Sequence, residues 1–143
     1  PGNYKVLFGT NQNELIEAAG GLKEGCEKVI SGGPMMGFAM YTTDTPITKT
    51  SSSILCMSKD EVSACEPTAC INCGRCVDAC PSRIIPSRLA DFAERHDEEA
   101  FLKFNGLECV ECGSCSYVCP AKRQLKQAIG SMRKTALANK KKK

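Results

Sequence analysis

Eight cysteines fall in two runs that share one spacing. Cys70, Cys73, Gly74, Cys76, Cys80 and Pro81 recur 39 residues later as Cys109, Cys112, Gly113, Cys115, Cys119 and Pro120. Thiolate sulfur is a soft ligand, and cysteines at i, i+3 and i+6 let one short loop wrap three corners of an iron–sulfur cube. The fourth corner needs a more distant sulfur. The glycine after the second cysteine lets the backbone turn closely around an inorganic core and aim N–H groups at sulfur. The proline after the fourth fixes φ and removes a donor, which suits a helix start.

In two-cluster ferredoxins the fourth cysteine of each motif ligates the other cluster. Carried over to this chain, the crossing assigns Cys70, Cys73, Cys76 and Cys119 to one [4Fe–4S] cluster. Cys109, Cys112, Cys115 and Cys80 then hold a second. Zinc is the rival metal, since paired C-x-x-C knuckles bind it; a structural zinc site takes four ligands, and this triple spacing fits a cube better. A disulfide framework fits poorly with 11 cysteines, an odd number, in close clusters and with no signal peptide. A reducing, cytoplasmic compartment follows.

Cys26, Cys56 and Cys65 lie outside the repeats and read as small hydrophobes or free thiols, although Cys65 stands only five residues before Cys70. His96, the one histidine, reads as a solvated helix-end residue, and Tyr117 as a shield inside the second loop. The glycine-rich run Gly32 to Gly37 lacks both a phosphate-loop ending and G-x-G-x-x-G, so it reads as a tight turn.

The elements that must position these sulfurs are short. Around Pro86, residues Ile85, Leu89, Phe92 and Ala93 recur at helical spacing, and Asp97 is placed to cap a second helix through Phe104. Leu125, Ala128, Ile129 and Met132 share a face of a third, whose rim carries Lys122, Arg123, Lys126, Arg133 and Lys134. Upstream, Tyr4 to Phe8, Lys28 to Ile30 and Ile54 to Met57 read as strands. Asn11 with Glu14 resembles a capping box for a helix through Leu15, Ile16, Ala18 and Ala19, which Gly20 and Gly21 end. Thr42 to Ser53 reads as loop or exposed edge strand. The fold class is α+β. The domain plan is a small unit over 1–57, a linker over 58–69, a cluster domain over 70–134 and a disordered basic tail over 135–143.

The formal charge of +3 is uneven: residues 120–143 hold nine of the 19 Lys and Arg and no acid, leaving ten cations against 16 acids before them. Each cluster with four thiolates carries about −2 when oxidised, so two bring the holo-protein to about −1, which weakens a nucleic-acid reading. A zinc-stabilised nucleic-acid module with a basic tail is kept as the alternative from another class. No run approaches the roughly 20 apolar residues that span a bilayer, so any membrane association is peripheral.

Taken together, Glu14 to Gly21, Ile30 to Gly37, Pro46 to Lys49 and the two cysteine motifs resemble the C-terminal part of the RnfC family, a component of the Rnf electron-transport complex, over essentially the whole chain. The resemblance implies a β-grasp soluble-ligand-binding module over 1–57 and an α-helical ferredoxin domain after about residue 60. It also implies an electron relay between an upstream flavin and NADH site and an iron–sulfur partner subunit on the ferredoxin side, coupled in the whole complex to sodium-ion or proton pumping. The expected location is peripheral, on the cytoplasmic side of the membrane, with no nucleic acid bound. The chain opens at Pro1 and Gly2 without an initiator methionine, so FMN and NADH are expected in a missing N-terminal part. Cobalamin-reductase flavoproteins of bacterial microcompartments share the modular order and are the nearest rival.

Overall fold

The computed structural model describes residues 1–60 and 64–142 and forms two compact units, Pro1–Ala64 and Cys65–Lys143. The first holds a helix and a small antiparallel sheet. Helix α1 (Gln12–Ala18) is capped by Asn11, whose side chain accepts from the backbone N–H of Asn13 rather than of Glu14. Gly20 and Gly21 take positive φ and Gly21 N donates back to Ile16 O, which stops the helix as expected. Strands β1 (Lys28–Ser31), β2 (Phe38–Ala39) and β3 (Ile54–Met57) lie in the order β2-β1-β3, with Val29 opposite Cys56 and Ile30 opposite Ala39.

Tyr4 to Phe8 is not a strand. Among the described residues it joins no ladder, and Leu7 and Phe8 stay 82 % and 68 % exposed. The apolar run supplied β-propensity without a partner edge, and a strand exists only through its pairing. The segment 42–53 is loop, tied to the helix by the bridge between Asn11 and Pro46. The turn expected at Gly32 to Gly37 is a tight one: Gly37 N donates to Gly33 O, and a Cβ on Gly37 would fall 2.5 Å from that oxygen. Part of the expected 58–69 linker, residues 61–63, lies outside the described residues.

The second unit is helical: α2 (Arg75–Asp78), α3 (Pro86–Glu94), α4 (Glu98–Lys103), a 3₁₀ turn (Gly106–Glu108), α5 (Ser114–Tyr117) and α6 (Leu125–Lys142). Pro86 opens α3, and Asp97 caps α4 by accepting from Ala100 N at 2.9 Å. His96 joins the two helices at φ 57°, exposed as expected. The core packs α3 against α6 with α4 alongside, through Leu89, Ala90, Phe101, Leu125, Ile129 and Met132. Pro81 and Pro120 do not open helices; each lies in a turn, and the helices begin five residues later at Pro86 and Leu125. Nor is 135–142 a loose tail, since α6 is helical as far as Lys142 with Ala136 fully buried, while residue 143 lies outside the described residues.

The 39-residue repeat runs through the backbone of this unit. Helices α2 and α5, and the starts of α3 and α6, are each 39 residues apart. So are six of the left-handed residues: Asn72 and Glu111 (φ 54° at both), Gly74 and Gly113 (79° and 83°), Arg83 and Lys122 (53° at both). Paired positions Pro86 and Leu125, Ala90 and Ile129, and Ala93 and Met132 are all buried.

Candidate metal centre

Each motif becomes a loop, one helical turn and a second loop. The first two cysteines sit in loop on either side of the left-handed Asn72 or Glu111; the third lies in α2 or α5, and the fourth follows it. Asparagine tolerates φ above zero through its short polar side chain, whereas glutamate seldom adopts it. Glu111 is held there from two sides. Its N–H donates to Cys109 Sγ at 3.4 Å, and its carboxylate meets Arg133 Nη1 at 3.2 Å, while Arg133 Nε donates to Leu107 O at 3.1 Å.

Two hollows result. Cys70, Cys73, Cys76 and Cys119 line the first, and Cys80, Cys109, Cys112 and Cys115 line the second. Every cysteine of the repeats therefore lines a hollow shared by three cysteines of one motif and the last cysteine of the other. The walls match under the same 39-residue offset: Ile71 with Val110, Asn72 with Glu111, Ser87 with Lys126, Ile84 with Arg123 and Pro86 with Leu125. The first hollow is the more open, with about 540 Å³ free of protein atoms against about 340 Å³, solvent-facing space included. Cys70 and Cys73 are exposed, whereas Cys115 is buried. Among the described residues no three His, Cys, Asp or Glu side chains gather closely enough to hold one ion. Each set of four is spread around its hollow instead.

The donor chemistry suits an iron–sulfur core. Burial pushes the Cys115 thiol up to about 11 and raises that of Cys109, while the Ser114 hydroxyl, 3.5 Å from Cys112 Sγ, draws the Cys112 thiol below its ordinary value. A thiolate in the buried positions requires positive charge beside it, which iron supplies. Cys26, Cys56 and Cys65 line neither hollow. Tyr117 is 80 % exposed and also lines neither, so it does not act as the expected shield. The sequence reading overlooked the wall residues Arg123 and Lys126, which it took for helix rim; extending the repeat past the prolines would have found them.

A family model described as a 4Fe-4S dicluster domain matches residues 69–123. Among curated proteins, the chain is 49 % identical over 130 residues to the C component of the proton-translocating ferredoxin:NAD(+) oxidoreductase complex of Clostridium ljungdahlii, covering 90 % of this chain and 28 % of that protein. It is 39 % identical over 142 residues to the C component of the Na(+)-translocating ferredoxin:NAD(+) oxidoreductase complex of Acetobacterium woodii, covering 99 % and 32 %. To the C component of the ion-translocating oxidoreductase complex of Methanosarcina acetivorans it is 45 % identical over 129 residues, covering 90 % and 29 %. The chain thus spans about three-tenths of the length of these relatives. With its cysteine motifs, its dicluster domain and these relatives aligned along most of its length, the chain belongs to the RnfC family, the C components of the Rnf-type ion-translocating oxidoreductase complexes.

Proposed function

We propose that this chain relays single electrons through two [4Fe–4S] clusters, one on Cys70, Cys73, Cys76 and Cys119, the other on Cys109, Cys112, Cys115 and Cys80. The observation that carries the reading is the make-up of the two hollows, each with three sulfurs of one motif and one of the other. When bound, such a cluster takes up and returns one electron at a potential between about −700 and +450 mV that its surroundings set.

The surroundings are the work of this chain's own residues. Glu111 N–H donates to Cys109 Sγ, which favours negative charge on sulfur. Ile84, Pro86 and Ile129 give the second hollow apolar walls that exclude water, and Leu125 does so at the first. The short helices α2 and α5 pack on one another and bring the two sites together.

In the whole complex, electrons pass between a flavin and NADH site outside these 143 residues and an iron–sulfur partner subunit on the ferredoxin side, coupled to sodium-ion or proton translocation. The names of the relatives support this setting. A peripheral position on the cytoplasmic face, held through partners, belongs to the same proposal. Among the described residues no helix is long and apolar enough to cross a membrane. The first unit, whose described residues form a helix and a three-stranded sheet, is read as the β-grasp module. Anaerobic reconstitution tests the reading: about eight iron and eight sulfide per chain are expected, with visible absorption bleached by dithionite. Zinc without labile sulfide, or a sample that dithionite leaves unchanged, refutes it.

A further inference from the structure

Turns of one shape follow Cys80 and Cys119. Arg83 N donates to Cys80 O at 3.1 Å and Lys122 N to Cys119 O at 3.2 Å, with φ 53° at both donors. The next residue of each turn points inward, and there the two halves differ. Ile84 is apolar and 7 % exposed; Arg123 is a cation whose side chain is 10 % exposed. Ile84 lines the second hollow with Cys80, and Arg123 lines the first with Cys119.

Ile84 is fixed by the apolar core that it joins. Arg123 is fixed by ions: its Nη2 lies 2.9 Å from Asp91 Oδ1 and 2.9 and 3.1 Å from the two oxygens of Glu94, both acids being on α3. Burial works against the charge, but the hydrogen bonds to Asp91 and Glu94 more than offset it and raise the arginine pKa. The segment between α5 and α6 that carries Cys119 has one other long-range backbone tie among the described residues, Thr68 N to Ala121 O at 2.9 Å. A ligand on such a segment is only as well placed as the segment is docked.

We propose that Arg123 is a positioning residue for Cys119: by gripping Asp91 and Glu94 it docks the post-Cys119 segment on α3 and holds that sulfur at the fourth corner of the first hollow. Burial of Ile84 performs the same task for Cys80. The inference rests on the crossed ligand sets proposed above. Partners in the outer shell of a metal site are typically worth about 10–100-fold in affinity, so the effect is large enough to read.

The test is residue-resolved alkylation of the anaerobic holo-protein, read by mass spectrometry beside iron content and the low-temperature electron paramagnetic resonance of the reduced sample. In Arg123→Ala, Cys70, Cys73, Cys76 and Cys119 are expected to label at least about tenfold faster than in wild type. Cys80, Cys109, Cys112 and Cys115 stay protected, iron falls from about eight to about four per chain, and one of two resonance signals is lost. The pair Asp91→Asn with Glu94→Gln leaves Arg123 in place without its anchors and should label the same four sulfurs. Arg123→Lys, which reaches one carboxylate, should restore most of the protection. Labelling of all eight together, or of none, overturns the role of Arg123. Labelling that instead groups Cys70, Cys73 and Cys76 with Cys80 refutes the crossed sets themselves, and the proposal with them, so the two failures are told apart.

Discussion

A methyl group has no room at Gly106. A Cβ there falls 2.3 Å from Phe101 Cε1 and 2.5 Å from both Cδ1 and Cζ, against an ordinary carbon–carbon approach of about 3.5–4.0 Å. Phe101 is fully buried among Leu89, Leu125 and Ile129, so the ring must move by about an ångström into a close-packed core. Two effects of Gly106→Ala compete. Alanine narrows the unfolded ensemble, which alone adds about 0.4–1 kcal/mol of stability, while overpacking costs about 1–3 kcal/mol. Overpacking wins by about 1–2 kcal/mol, and in a unit of this size that lowers the melting midpoint by about 5–15 °C. Gly106 also opens the turn that delivers Cys109, and Cys109 N donates to Gly106 O, so bleaching should precede unfolding more clearly than in wild type. The assay is a melt of the anaerobic holo-protein followed by ellipticity and by visible absorption. Gly33→Ala, with nothing within 4 Å of its Cβ, is the control and should leave the midpoint unchanged or raise it. Phe101→Leu combined with Gly106→Ala should cost less than the sum of the two single changes. A Gly106→Ala protein that melts at or above the wild-type midpoint refutes the overlap argument.

Cys80→Ser should deprotect Cys109, Cys112 and Cys115 to alkylation while leaving Cys70, Cys73 and Cys76 protected, and Cys119→Ser should do the reverse; ligation within motifs predicts the opposite pairing. Asp97→Ala removes the acceptor for Ala100 N and should cost about 1 kcal/mol, read as an earlier urea midpoint with an unchanged slope. Because Cys70 and Cys73 are exposed and Cys115 is buried, a water-soluble ferrous chelator added to the reduced protein should strip the first site before the second. Simultaneous loss would show that access does not set the order.

Much of this was legible because the decisive signals were local. Sulfur spacing gave both ligand loops, Pro86 and Asp97 marked two helix starts, and the apolar stripe Leu125, Ala128, Ile129 and Met132 marked the face of α6. What escaped the sequence depended on partners. Tyr4 to Phe8 has strand composition but no described edge to join, and Phe38–Ala39, too short to show periodicity, pairs with β1 only because Gly32 and Gly37 turn it back. The polar stretch after Lys134 looked like tail because charge implies solvation, yet Ala136 falls on the buried face and carries the helix on.

The repeat teaches the sharper lesson. Residue types advertise it over 12 positions, but the backbone keeps it through Arg83 and Lys122 to the starts of α3 and α6, where the types no longer agree. A left-handed turn three residues past each fourth cysteine is a constraint on φ, and Arg83 and Lys122 meet it here although neither residue type favours positive φ. Once the turn is fixed, the following side chain must point inward, and any residue that can be anchored there will serve: Ile84 by burial, Arg123 by two carboxylates. Chemistry fixes the sulfurs and geometry fixes the turn, while the means of anchoring is free to differ. The wall of each hollow is therefore where two otherwise equivalent sites acquire different surroundings.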